Sequence, residues 1–561
     1  MGAIDSRTVR RRALKRTIAL AAALGLIAGE AAAQISSPTA PLRMRSSFLG
    51  YSASVNPRVA YSDNLNLVRD EIKDDDVVLS NLLTGGLIVS NDRVTAIFSG
   101  DLDLSYFTDR TNLVVNQDVG GVGTATVADN LLFVDFAAGS SRQLVGDNGR
   151  FSANINAGRD QRANVHSYSA SPYFYRKFSN FSTGELRYRF SQVFIDDSDA
   201  AANPIRGGNL LNDSTSHEAL AKFDSAGMFD RVKITLSAYG NHTEEDGSDI
   251  IPSFEYEQGT LLGEGEFALN RTFSLTGAGG YDDVETDALP GIFDDEALSG
   301  AFWRAGFAAS PSRRTRVKIE YGERYDDEFI EAELRYEMNR NFVLSGGASR
   351  RFRTRAQSVS SQFRGLQRDI LDFADRLREG ESLSPEAVVR SATQFGGRSI
   401  NAQTTGIGVS ETAHAQLTGV FSRLEVAARV RYEDTDFGFR KFEVLSGTLN
   451  ARQSVSRRLM VYGDMFYRRV DSFFDPASCI QNPTLFGFDI NDPLFDATAS
   501  CTGLVARNGR THTVGGSAGA GYQIYKNVSV FGEYSHTERF SEIPLLEYGE
   551  NVVVAGLTLS F

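Results

Sequence analysis

Beyond about residue 48, hydrophobic and polar positions alternate with a period of two through nearly the whole chain. Leu186, Tyr188 and Phe190 alternate against Arg187, Arg189 and Ser191. Val232, Ile234, Leu236 and Ala238 alternate against Lys233, Thr235, Ser237 and Tyr239. Val317, Ile319 and Tyr321 oppose Arg316, Lys318 and Glu320, while Leu424, Val426, Ala428 and Val430 oppose Arg423, Glu425, Arg429 and Arg431. One longer run keeps a single phase from Val94 through Phe98, Leu102 and Leu104 to Tyr106. A period of two is that of a strand with two unlike faces. A charged face opposite an apolar one, repeated this often, needs two solvents, and lipid outside with water inside supplies them. The pattern predicts an all-β fold, a large antiparallel transmembrane β-barrel.

The last run places Val553, Ala555, Leu557 and Leu559 in one phase and stops on Phe561. A terminal strand of this kind, ending on an aromatic residue, is expected to pair with the first strand and remove both sheet edges. Short connections, such as Asn91-Asp92, Phe229-Asp230, Asn270-Arg271, Asn339-Arg340 and 525–527, alternate with longer, more acidic ones at 62–76, 109–125, 194–214, 244–252, 284–295, 354–397 and 471–509. This asymmetry predicts short periplasmic turns, long extracellular loops and an even count of about 18–22 strands. The glycine-rich piece Gly120 to Gly123 is expected in a loop.

The amino-terminal residues read differently. Arg7, Arg10, Arg11, Arg12, Lys15 and Arg16 precede an apolar core from Ile18 to Ile27 and a small-residue site at Ala31 to Ala33. Residues 1–33 are therefore expected to be a secretory signal peptide, followed by a short periplasmic segment over 34–48 and the barrel over 49–561. So short a leading segment leaves no room for a separate plug domain. Composition fits the picture: 52 Gly, 38 Phe and 20 Tyr stand against one Trp and two Cys. A net charge of −13 argues against a nucleic-acid partner, which would need a basic face.

Two loops carry special chemistry. Over 354–397, Phe363, Leu366, Ile370, Leu371, Phe373 and Leu377 recur near helical spacing, which predicts an amphipathic helix that either enters the lumen or caps the barrel. The 471–509 loop holds both cysteines, Cys479 and Cys501, and an exported location permits a disulfide between them. The six histidines are scattered without metal-ligand spacing, so no catalytic, metal or cofactor site is expected. The candidate functional residues are the charges in the polar phase: Arg187, Arg189, Lys233, Arg316, Lys318, Glu320, Glu331, Glu333, Arg335, Arg423, Glu425, Arg429 and Arg431. Within hydrocarbon they are tolerable only if they face the lumen, where mixed signs would either brace the wall or select charged solutes.

The segment Asn56-Pro57-Arg58-Val59-Ala60-Tyr61-Ser62-Asp63-Asn64-Leu65-Asn66-Leu67 resembles the first strand and loop of the putative beta-barrel porin 2 family. That resemblance implies an outer-membrane barrel associated with exopolysaccharide export, working beside a periplasmic polysaccharide-export protein. The expected surroundings are outer-membrane lipid and lipopolysaccharide, with the barrel-assembly machinery as the insertion partner. Three functions stay open at this point: a glycan conduit, a general or charge-selective diffusion porin for small solutes, and a non-conducting surface-binding or anchoring barrel.

Overall fold

A computed structural model describes residues 48–561 apart from 110–111, 145–151, 153–161, 179–181, 196–212, 226–230, 247–252, 288–297, 340, 355–406, 437–439 and most of 475–508. The leader, nearly all of the 34–48 segment and nearly all of the 354–397 insertion thus lie outside the described residues.

The chain forms one 22-stranded antiparallel sheet. The strands are β1 Phe48–Ser62, β2 Asp76–Ser90, β3 Val94–Phe107, β4 Asn112–Ala128, β5 Leu132–Leu144, β6 Arg162–Lys177, β7 Thr183–Ile195 and β8 Ser214–Asp224. There follow β9 Val232–Glu245, β10 Phe254–Ala268, β11 Phe273–Thr286, β12 Gly300–Ser312, β13 Thr315–Arg324, β14 Asp327–Glu337 and β15 Phe342–Thr354. The sheet ends with β16 Ile407–Val420, β17 Leu424–Asp436, β18 Arg440–Ser454, β19 Leu459–Phe474, β20 Gly509–Tyr525, β21 Val528–Ser541 and β22 Tyr548–Ser560. Each strand pairs with its chain neighbours, and β22 pairs with β1 from Ser560↔Ser54 to Val552↔Ser62, so the sheet is closed.

The stretch that carries the family resemblance sits on this closing seam. Asn551 donates its backbone N–H to Asp63 at 2.7 Å and its side-chain amide to the other Asp63 oxygen at 2.9 Å. Ser62 donates to Glu550 at 2.7 Å, and buried Asn64 donates to the Gly549 carbonyl at 2.8 Å. The loop that follows lays Leu65 and Leu67 against Phe107, Val114 and Tyr548 and so packs over this end of the barrel. At the other end of the seam the Phe561 N–H donates to the Ala53 carbonyl at 2.9 Å.

The expected bounds need correction at 109–125 and at 471–509. Most of the segment 109–125 is not a loop: from Asn112 it belongs to β4. Gly121 and Gly123 lie inside that strand because side chains there would collide with neighbouring rings. A Cβ on Gly121 would stand 2.2 Å from Phe98, and one on Gly123 would stand 2.3 Å from Phe136. The connection after β13 is only the two-residue turn Tyr325-Asp326, both at φ 56°, as a tight hairpin turn requires. The long 471–509 connection is shorter at both ends, because β19 runs to Phe474 and β20 begins at Gly509. Within it a disulfide joins Cys479 to Cys501, with Cα atoms 5.7 Å apart.

Strands β12 and β13 approach closely through two glycines. A Cβ on Gly322 would stand 2.0 Å from the Trp303 carbonyl oxygen, and one on Gly306 would stand 1.9 Å from that of Ile319. Backbone cannot yield as a side-chain tip can, so overpacking here should cost about 1–3 kcal/mol or more. Gly322→Val is expected to lower the yield of heat-modifiable folded barrel on refolding into vesicles. Gly447→Val, where a Cβ would stand 3.8 Å from the Arg429 carbonyl oxygen, should refold nearly as well as the parent.

Candidate functional site

The two faces of the sheet differ in kind. Leu186, Leu236, Leu261, Leu275, Leu449 and Met465 point outward and are each about half exposed, while the inward residues beside them include Arg187, Thr235, Thr260 and Thr276, all buried. Tyrosines, among them Tyr61 and Tyr106 at strand ends and Tyr188, Tyr321, Tyr467 and Tyr534 further in, are exposed on the outer face. A continuous apolar band rimmed by tyrosine is not a surface for water; it is the lipid-facing belt of a transmembrane barrel. The chain is an outer-membrane β-barrel.

The inner wall carries the chemistry. On one side, Arg304 of β12 donates to Glu264 of β10, to Glu320 of β13 at 2.7 Å and to Glu331 of β14 at 3.1 Å. Lys318 adds a second cation to Glu320 at 3.0 Å. Above them, Arg324 holds both oxygens of Asp282 at 2.7 and 2.8 Å, and its guanidinium lies 4.5 Å from the Phe302 ring centre and 4.8 Å from that of Tyr325. On the neighbouring arc, Arg187 of β7 donates to Glu185 at 2.5 Å and to Asp135 of β5 at 2.7 Å, and stacks 3.8 Å above Tyr173 of β6. Arg189 pairs with Glu218 at 2.5 Å and Lys233 with Asp224 at 3.3 Å. Guanidinium is the cation suited to several carboxylates at once, because its donors form a planar fork.

The extracellular mouth is narrowed along β10–β15. Tyr256 of β10 and Phe352 of β15 stand five strand intervals apart, about 24 Å along the wall. Their ring centres are nevertheless 5.4 Å apart, and Phe352 also meets Tyr325 of the β13–β14 turn at 6.2 Å. The β14–β15 ladder stops at Ala332↔Ala348, and above it Arg350 bridges to Asp327 at 3.0 Å and to Glu411 at 2.5 Å.

Toward the periplasmic side, the inner wall along β13–β18 is open. Arg316, Arg335, Glu425 and Arg429 are exposed there. Arg316 lies directly opposite Arg335 in the β13–β14 register, an arrangement of like charges that does not brace a wall. Arg335 is 57% exposed and holds only Glu337, at 3.3 Å. Arg429 donates to the Gln416 side chain at 2.7 and 3.1 Å, and among the described residues neither Arg316 nor Arg429 has a carboxylate partner. The periplasmic turns carry an excess of this sign, with exposed Arg93, Arg231, Arg271, Arg313, Arg314, Arg423, Arg457, Arg458 and Lys526 against exposed Asp92 and Asp129. The extracellular ends are acidic, with exposed Asp70, Glu71, Asp74, Asp75, Glu255, Glu257 and Asp287.

The charges singled out from the sequence thus separate into three groups. Arg187, Arg189, Lys233, Lys318, Glu320 and Glu331 are cross-linked in the packed inner wall, and Arg431 pairs with Glu433 at 3.1 Å. Arg316, Arg335, Glu425 and Arg429 line the open stretch, with Glu333 opposite Lys318 in the register. Arg423 is not on a strand: it stands in the turn before β17, exposed, with its carbonyl accepting from the Ser454 N–H. Period-two reading missed Arg304, the centre of one network, together with Arg324, Asp282 and the Asp135 partner of Arg187. Arg304 follows Phe302 and Trp303, so an aromatic on each face hid its phase; Asp282 sits in the Tyr281-Asp282-Asp283 run, where charge occupies both faces. Of the histidines, His217, His242, His512 and His536 lie on the outer face near its extracellular edge, where Tyr188 and Tyr467 hydrogen-bond His217 and His512 at 2.7 and 2.8 Å.

No family model matches the chain, and no curated protein matches it by sequence. Among solved structures it is similar to the ferric-catecholate import receptor Fiu of E. coli K12, with TM-score 0.47 and 9% identity over 95% of this chain and 85% of that one. It is also similar to the siderophore receptor PirA of Acinetobacter baumannii, with TM-score 0.45, 9% identity and coverage of 93% and 81%. The ferric enterobactin receptor PfeA of Pseudomonas aeruginosa gives TM-score 0.43, 10% identity and coverage of 91% and 81%. Likeness at this level carries nothing about the ligand of the present chain.

Arg304→Met should leave three carboxylates facing one another with only Lys318 to answer them, and removing one member of a buried ion network costs about 3–5 kcal/mol. Reversible unfolding in urea from lipid vesicles measures it. The double change Arg304→Met with Glu320→Gln should recover part of the loss; equal loss in both variants would show that the network does not hold the wall.

Proposed function

We propose that this barrel is a transport conduit whose cargo is an anionic glycan entering from the periplasm. The observation that carries the reading is the open inner stretch with Arg316, Arg335 and Arg429. Arg316 and Arg429 have no carboxylate partner among the described residues and Arg335 holds only Glu337, so guanidinium donors are left there for a ligand, and like charges on adjacent strands cost stability unless an anion answers them. The basic residues in the periplasmic turns extend the same attraction to the entrance, where a field of one sign raises the local concentration of an oppositely charged polymer. Hydroxyl and carboxylate groups of an acidic polysaccharide suit this lining, and the resemblance of the first strand and loop to the putative beta-barrel porin 2 family points the same way. In such a system the chain itself supplies no energy, and a periplasmic export partner would deliver the polymer. Small anions would pass by the same attraction, so a charge-selective diffusion pore is the second reading.

Current block separates these readings. Acidic oligosaccharide added on the periplasmic side of a barrel in a planar bilayer should interrupt the current at lower concentration than a neutral oligosaccharide of equal length. The triple change Arg316→Glu, Arg335→Glu, Arg429→Glu should raise the blocking concentration by at least about tenfold, roughly 1.4 kcal/mol of binding. Block by small anions alone, with none by the oligosaccharide, would favour the diffusion pore. No difference between acidic and neutral chains would overturn the proposal.

A further inference from the structure

The outer wall is not uniformly convex. Between β6 and β11 it carries an open groove of about 900 Å3, at the upper end of the range that holds small ligands. Its floor is made of small residues on the outward face: Gly184, Ala221, Ala238, Gly263 and Gly279. Cross-strand register explains the shape. Phe174 pairs with Leu186, Leu186 with Ala221, Ala221 with Ala238, Ala238 with Leu261, and Leu261 with Tyr281. One row across six strands therefore runs large, large, small, small, large, large, which is a trough between two walls. The next row toward the periplasm runs Arg176, Gly184, Phe223, Leu236, Gly263 and Gly279, so it starts on a cation, and the floor of small residues arches from Gly184 over Phe223 and Leu236, through Ala221 and Ala238, to Gly263 and Gly279.

The ends of the groove are unlike. Its lower end reaches the short turns, where Leu131 and Phe178 line it; a Cβ on Gly184 would stand 2.7 Å from the Phe178 ring, so the glycine is what lets that ring lie over the groove. Arg176 stands exposed at this end, one residue before β6 finishes. Everything above it is hydrocarbon-compatible and continuous with the lipid-facing belt.

We propose that this groove is a specific phospholipid site of the periplasmic leaflet, with acyl chain lying in the trough and the phosphate on Arg176. Three observations select this occupant. The groove lies within the belt, so what fills it is a membrane component. Its polar end is at the short turns, which places the headgroup in the periplasmic leaflet and not among the lipopolysaccharide of the outer one. Glu185 and Lys222 also line the groove but are buried, so the exposed charge at that end is Arg176, which has the sign that a phosphate requires. A flat wall exchanges its lipids freely, whereas a trough that contacts a chain on three sides holds one, since each additional buried methylene adds to retention.

Native mass spectrometry of the full chain, extracted from outer membranes in mild detergent, tests this. The protein should carry one phospholipid that survives stepwise delipidation. Ala221→Phe with Ala238→Phe, which fills the floor, and Arg176→Glu, which repels the phosphate, should each lower the retained fraction by roughly tenfold. Gly263→Leu is a smaller filling that should act in the same direction if the double variant does not fold. Ala415→Phe, on the outer face of β16, should retain the lipid as the parent does. Heat-modifiable mobility checks folding in every case. Equal lipid loss in the parent and the filled variants would overturn the proposal, as would a retained adduct that proves to be lipopolysaccharide or a second copy of the chain.

Discussion

Every backbone N–H and C=O that enters hydrocarbon must find a partner within the protein, and this one constraint organises the molecule. It forbids a free strand edge, so β22 must return to β1, and the chain devotes to that seam a set of bonds from Ser62, Asp63 and Asn64 to Gly549, Glu550 and Asn551. Closure then divides all side chains into two populations with opposite solvents. Alternation along the strands follows from that division, as do the half-exposed leucines outside and the paired charges inside.

The inner wall meets a different requirement. Charged groups on a sheet that turns away from lipid are stable when hydrated or paired, and this barrel uses both solutions in different places. Arg304 and Arg187 each gather several carboxylates and pack against aromatic rings, so those arcs are rigid walls. Near the periplasmic ends of β13–β18, Arg316, Arg335, Glu425 and Arg429 are left in water, with Arg316 opposite Arg335. A protein that needed only stability would not place two arginines across from each other on an exposed stretch. That contrast between densely and sparsely paired cations, not the number of charges, is what carries the proposed pathway.

Much of this was legible in the sequence because period two is a geometric signature that needs no partner information. The strands at Leu186 to Phe190, Val317 to Tyr321 and Leu424 to Val430 and the terminal run to Phe561 were evident from phase alone. Where glycine replaced an apolar residue the signal failed: β4 reads as a loop because Gly120, Gly121 and Gly123 remove the very side chains that would mark its outer face. Their role is set by Phe98 and Phe136 on adjacent strands, which only register reveals. The same limit applies inside. Sequence marked Arg187 and Glu320 as inward, but which carboxylate meets which guanidinium depends on residues up to 61 apart in the chain. The lipid-facing groove was not legible at all, since it arises from small residues on five strands brought into two adjacent rows.

The central claim is that the stretch along β13–β18 is a continuous aqueous path with an excess of positive charge. Reversal potential across a planar bilayer with a salt gradient tests it most directly. The account predicts steady conductance with preference for anions, reversed toward cations when Arg316, Arg335 and Arg429 become glutamate. A correctly folded barrel that is silent, or one whose selectivity ignores those three residues, would contradict it.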